Sequence, residues 1–319
     1  MKQWVVLCCL LGLGMAQAPG KCRVLALAGG GDKGAYQAGA IKGLVASLPA
    51  GEAEWDVITG VGIGAVNALV ASRFPLGSET AMAAYLNSFW TNFSNSQFYE
   101  NWPGLVVQGL LSEAGLYNSA PMLKTLNSLA GAGTSFGRHI VVGATDLLSG
   151  DYIVVNDTYS LNDVVMATYG TASMTGTFPP VTLDSYYLAD GTLKFSVDIL
   201  SGVNQCLDSG FQKTDIIVDV VLCTSKKLAQ IDLAGYKPLQ VLIRYLEIEA
   251  FDNTMQVLEN VNIDFPGVDI RNVIVPSTVL PDQQVSLPLP YSFSQDALTT
   301  MLELGYSDAL AAGHQVRFS

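Results

Sequence analysis

The chain predicts an α/β protein of three layers, with helices on both faces of a largely parallel central sheet. Strand-like runs such as Cys22-Arg-Val-Leu-Ala-Leu-Ala28 and Asp215-Ile-Ile-Val-Asp-Val-Val-Leu-Cys-Thr224 are apolar almost throughout. They alternate along the chain with segments of helical spacing. A strand apolar at nearly every position is covered on both faces, as in a parallel sheet between helix layers. Composition agrees: of 319 residues, 50 % are hydrophobic and 14 % charged, which implies a large core and excludes a disordered chain.

The elements follow in order. Cys22 to Ala28 is a buried-type strand, followed by glycines to Gly34 and a helix from about Ala35 to Leu48. Asp56 to Thr59 is a second strand, and Ile63 to Ser72 a second helix. Thr80 to Trp90 has helical spacing, whereas Asn92 to Gly115 is aromatic and irregular. His139 to Thr145 and Asp151 to Val155 read as strands around a Ser149-Gly150 turn, and Leu161 to Ala172 as a helix. Asp215 to Thr224 is a β-branched strand, Leu239 to Leu258 a long helix, Arg271 to Pro276 a strand and Ser294 to Ala312 a helix. There is no internal repeat, low-complexity tract or charged linker, so one domain is expected over residues 17–319.

The net charge of −12 disfavours non-specific nucleic-acid binding, and no basic run occurs. Contact with a membrane surface through a local apolar rim stays open. Residues 1–16 are expected to be a cleaved secretory signal: Lys2, then an apolar stretch from Trp4 to Met15, then small residues at Gly14, Ala16 and Ala18. That stretch is shorter than the roughly 20 residues a bilayer span needs. Secretion, or residence in the lumen of the secretory pathway, would leave Cys22, Cys206 and Cys223, allowing one disulfide whose pairing the spacing does not decide. The sequons Asn92-Phe93-Ser94 and Asn156-Asp157-Thr158 would then be open to glycans. No histidine cluster accompanies the cysteines, so neither a metal nor a cofactor is expected.

Three motifs carry chemistry. Gly29-Gly30-Gly31-Asp32-Lys33-Gly34 joins a strand to a helix, where backbone N–H groups can face an anion. Gly29, Gly31 and Gly34 also satisfy a dinucleotide fingerprint, but the acidic residue expected at the end of the following strand is missing. Gly60-Val61-Gly62-Ile63-Gly64 has the layout of a nucleophile elbow, G-x-S-x-G, with glycine at the serine position. The third is Asp190-Gly191-Thr192, following Phe178-Pro179-Pro180. Taken alone, its Asp-Gly pair is only a turn signal.

In this order the three motifs resemble the patatin-like phospholipase family, over roughly Cys22 to Ala311. The resemblance implies the patatin-type fold and a Ser–Asp dyad without histidine. The nucleophile maps to the vacant Gly62 and the base to Asp190. The oxyanion loop maps to Gly29, Gly30, Gly31, Asp32, Lys33 and Gly34, with Gly60 and Gly64 flanking the elbow and Gly191 and Thr192 completing the aspartate turn. Thr192 departs from the Gly or Ala usual there.

The function expected is therefore that of a secreted lipid acyl hydrolase homologue which binds an acyl lipid or phospholipid and is catalytically impaired by Gly62. One alternative is an active phospholipase or acyl-ester hydrolase with a non-standard mechanism or a sequence change at 62. The other is a structural or interaction protein on the same scaffold. His139 and His314 read as structural. Ser173 and Thr175 carry hydroxyls in a loop that the resemblance places near the site, and the aromatic stretch from Phe89 to Trp102 reads as a packed cap, with a lipid-facing rim as the alternative.

Overall fold

The computed structural model describes residues 20–131, 135–225, 227–228, 230–281, 291 and 293–312. The expected signal segment and His314 lie outside the described residues.

Among the described residues one sheet of eight strands forms the centre, in the order β5-β6-β3-β2-β1-β7-β8, with β4 paired to β3. β1 (Cys22–Leu27) lies in parallel between β2 (Val57–Val61) and β7 (Ile216–Val221). β3 (His139–Asp146) and β8 (Asp269–Ile274) extend the parallel set on either side. β4 (Tyr152–Asn156), β5 (Val181–Leu183) and β6 (Tyr186–Ala189) pair antiparallel at one edge.

The alternation of β1 explains its uniform apolarity. Leu25 and Leu27 enter a core shared with α1 (Gly34–Ser47), α2 (Ile63–Ser72), α3 (Glu79–Thr91), α5 (Ala120–Ala130), α6 (Leu161–Thr171) and α9 (Gln295–Ala312). Val24 and Ala26 enter the opposite core, with α7 (Ile199–Asp208) and α8 (Pro238–Asp264). Both faces of a central strand are therefore covered, as a parallel sheet requires.

The segment expected to be irregular contains α4 (Leu105–Ser112), and its neighbour α5 carries no expectation from the sequence. α4 is only eight residues long, about two turns, too short for a helical repeat to be read. The β5–β6 hairpin and α7 were likewise unforeseen; the two strands are only three and four residues long, too short for a pattern. The aromatic stretch is a packed cap: Trp90, Phe93, Phe98 and Tyr99 are buried and their rings meet Phe178 and Phe293.

Two devices fix the layers. Asp219, buried on β7, accepts from Trp55 Nε1 at 2.7 Å, Asn272 Nδ2 at 2.8 Å and Arg271 Nη2 at 2.5 Å, so its charge is both paired and hydrogen-bonded. A disulfide joins Cys22 at the start of β1 to Cys206 on α7, and Cys223 is free. This bridge closes a span of 184 residues, a long loop to withhold from the unfolded chain. Replacing both Cys22 and Cys206 with serine should lower unfolding free energy by about 2–5 kcal/mol, read by urea titration. An unchanged midpoint would show that the bridge carries no stability.

Candidate active site

β1, β2 and β7 all end at the same edge of the sheet, and each delivers a loop to one place. The connections leaving β1 and β2 lead into the N-termini of α1 and α2, where orphan N–H groups collect. Between β2 and α2 stands Gly62, at φ +56° and ψ −127°. That is backbone which only glycine adopts freely, and other residues hold it at a cost of about 1–3 kcal/mol.

Asp190 comes to the elbow from the end of β6. A Cβ added at Gly62 would lie 3.8 Å from Asp190 Oδ1 and 3.4 Å from Gly29 Cα. Space for a side chain thus exists, and it faces the carboxylate. The Asp190 main-chain N–H is held by the carbonyl of Ser173 at 3.2 Å. One residue that the sequence reading passed over joins elbow to turn. The Thr171 hydroxyl accepts from the N–H groups of Gly62 at 3.0 Å and Gly191 at 3.3 Å, while donating to the Gly143 carbonyl at 2.5 Å. A lone threonine at a helix end gives no sequence signal of such a role.

The glycine loop is narrower as an anion cradle than expected. The Gly29 N–H donates to the Ser196 carbonyl at 2.8 Å, and the Lys33 N–H to the Gly30 carbonyl at 3.2 Å. These two of the expected oxyanion donors are therefore used by the fold itself. The Gly30 and Gly31 N–H groups donate to no protein acceptor among the described residues. Lys33 Nζ rests 3.5 Å from the Asp32 carboxylate. Tyr291 covers the loop: its ring comes within 2.6 Å of where a Gly31 Cβ would stand, and its hydroxyl donates to Met174 Sδ at 3.1 Å.

A buried polar chain clamps the two helix starts together. Gln37 Nε2 donates to the Ala28 carbonyl at 2.6 Å, Asn67 Nδ2 to Gln37 Oε1 at 2.9 Å and Trp90 Nε1 to Asn67 Oδ1 at 2.8 Å. Each polar side chain in the chain finds a partner, so it holds the loop without an unmet donor. α8 braces the aspartate turn from the other side. Asn253 accepts from the Ser196 N–H at 2.8 Å and donates to the Lys194 carbonyl at 2.7 Å.

Neither the Ser173 nor the Thr175 hydroxyl is engaged with Asp190. Ser173 is buried and donates to the Tyr169 carbonyl at 2.9 Å, while Thr175 is exposed. His139 pairs with Asp157 at 2.9 Å at the start of β3, the opposite end of that strand from the elbow. Cys223 lies beneath Gly30, where burial pushes its thiol up to about 12 against the opposing pull of Lys33, so it is a thiol and not a nucleophile at neutral pH. Among the described residues no group of His, Cys, Asp and Glu is placed to hold a metal.

Burial raises the Asp190 carboxyl from its ordinary 3.8 to about 6, outweighing two hydrogen bonds from Thr192 that lower it. A base tuned toward neutral pH suits proton transfer. The sign for stability follows. Between 3.8 and 6 the folded chain holds a proton that the unfolded chain has released, so stability falls as pH rises through about 6. Asp190 is half-buried, and solvent screens part of its charge. Asp190→Asn should therefore stabilise the protein at pH 8 by about 1–2 kcal/mol, with the gain vanishing below about pH 4. Urea unfolding across that range checks it, and a gain independent of pH would show that the carboxyl is not desolvated.

Comparison with known proteins follows from this geometry. No curated protein sequence matches the chain. Among solved structures, VipD from Legionella pneumophila aligns with a TM-score of 0.42 at 9 % identity, over 93 % of this chain and 67 % of that one. The type III effector ExoU aligns with a TM-score of 0.24 at 13 % identity, over 76 % of this chain and 54 % of its own. The family model described as patatin-like phospholipase matches residues 25–201, a span that holds the glycine loop, the elbow and the aspartate turn. On that match, over more than half its length, the chain belongs to the patatin-like phospholipase family.

Proposed function

We propose that the protein binds an acyl lipid or phospholipid at the elbow, and that its hydrolysis through a serine at this position is lost. The observation that carries this reading is Gly62 itself. The position keeps the elbow backbone and faces Asp190, yet offers no hydroxyl. Asp190, with its raised carboxyl, and the N–H groups of Gly30 and Gly31 form the rest of the oxyanion-and-base arrangement that the family pattern calls for. Losing a covalent nucleophile costs on the order of 10⁶-fold in rate, leaving a residue from binding and oxyanion stabilisation. In this reading the chain is secreted or resides in the lumen of the secretory pathway. The Cys22–Cys206 bridge supports an oxidising compartment.

A second reading, a structural or interaction protein with a closed site, draws on Tyr291 over the glycine loop. Lipid carried through purification separates the two. Protein extracted with organic solvent and examined by mass spectrometry should yield phospholipid or fatty acid in near-stoichiometric amount. It should hydrolyse p-nitrophenyl esters no faster than the Asp190→Asn variant. Lipid-free protein that takes up no phospholipid favours the closed scaffold, and turnover abolished by Asp190→Asn restores the active hydrolase. In a eukaryotic host the glycan should sit on Asn92, which is exposed, in preference to Asn156, which is half-buried on β4. Peptide mapping that finds Asn156 modified and Asn92 bare would contradict that order.

A further inference from the structure

Thr192 lies in the space between the elbow and the glycine loop. Its methyl carbon Cγ2 stands 2.2 Å from where a Cβ on Gly29 would be, and 3.8 Å from where a Cβ on Gly62 would be. The methyl therefore fills the space between the glycine loop and the position a side chain at 62 would take. Its hydroxyl donates to Asp190 Oδ1 at 2.8 Å, and its main-chain N–H donates to the same oxygen at 3.0 Å. A carboxylate oxygen carries two lone pairs, so Oδ1 is fully subscribed. It is also one of the three atoms nearest to a Cβ placed at Gly62, and thus the acceptor a serine hydroxyl there would first meet.

We propose that Thr192 takes the place of the lost nucleophile, its hydroxyl holding Asp190 and its methyl filling the gap between Gly29 and Gly62. The site is then closed to ester hydrolysis by two residues, and refitting a serine at 62 alone does not reopen it. This inference deepens the non-hydrolytic reading given above and rests on it. Thr192 acts here as a positioning residue. Removing its side chain beyond Cβ leaves the main-chain donor on Oδ1 and frees one lone pair. In the double variant the serine oxygen can then bond to the acyl carbon as its proton passes to Asp190. The ester alkoxide departs with that proton, and water subsequently releases the acyl group from the serine.

The test compares Gly62→Ser, Thr192→Ala and the pair together, using p-nitrophenyl butyrate and a fluorophosphonate probe read by peptide mass mapping. The double variant should hydrolyse at least about 100-fold faster than Gly62→Ser and label at position 62, a gap that reflects removal of a transition-state obstruction and not a change in binding alone. Within the Gly62→Ser background, Thr192→Ser, which drops the methyl, and Thr192→Val, which drops the hydroxyl, should each recover only part. Equal rates for Gly62→Ser and the double variant would overturn the proposal. So would a folded double variant that stays inert, or a probe adduct on Thr192 of the unsubstituted chain.

A second measurement stands if Gly62→Ser does not fold. Carbon-13 titration of Asp190, assigned with Asp190→Asn, should show its carboxyl moving above about 6 in Thr192→Val and staying in place in Thr192→Ser. No movement in Thr192→Val overturns the proposal. Lipid uptake by the unsubstituted chain is measured separately. Its absence alongside an intact coupling between 62 and 192 sinks the lipid reading alone.

Discussion

The approach of α2 to the ends of β1 and β2 is the constraint on which the site depends. A Cβ on Gly60 would lie 2.5 Å from the backbone nitrogen of Ala65, and one on Gly64 would lie 2.4 Å from the Leu27 carbonyl oxygen. Both contacts are with backbone, which cannot turn aside as a side chain can. The helix meets the sheet edge only because these two positions are bare. The flanking glycines thus answer to packing, whereas the central position answers to its backbone angles. Gly62 has room for a side chain, so nothing in the packing demands glycine there. Its positive φ does favour glycine, and the exchange relaxes strain that a serine would carry.

Asp190 presents the opposite case, a titratable group whose state is set by the packing around it. Its carboxyl is raised because it is desolvated, and desolvation follows from the close packing of the turn. A Cβ on Gly191 would meet the Gly143 carbonyl at 2.4 Å and the Thr171 hydroxyl at 2.8 Å, so the turn is seated deep against β3 and α6. Base-like tuning is thus a by-product of how the fold holds this corner. An aspartate left buried without a hydrogen bond would be costly, and the Thr192 donors meet that need in the present site.

The elbow, the glycine loop and the aspartate turn come from distant parts of the chain, yet small polar side chains hold them in one place. Thr171 ties elbow to turn, Gln37 and Asn67 tie loop to elbow, and Asn253 ties turn to α8. The Thr171, Gln37 and Asn67 contacts are buried and satisfied, which gives one arrangement over its alternatives. Tyr291 closes the assembly over Gly31, where its own hydroxyl is pushed far up by burial and by the nearby Asp190 and Asp32.

The sequence by itself determined the layered α/β architecture, because strands apolar throughout can lie only between two helix layers. It also determined the three motif positions, since tight turns and close approaches write themselves as glycines at fixed spacing. α9 was legible because its helical pattern runs for 18 residues, and β7 because an apolar, β-branched run marks a covered strand. Short elements were not, and β5, β6 and α4 became definite only through their partners. The pairing of Cys22 with Cys206 needed the packing of α7 on β1, which spacing does not contain. The tertiary structure alone decided which loop amides remain open, because the Gly29 N–H is taken by Ser196, a residue 167 positions away. It alone brought the Thr192 methyl between Gly29 and Gly62 and its hydroxyl onto Asp190. Hydrogen bonds and steric contacts across the fold are set by where the chain returns to itself, and local residue patterns carry no record of that return.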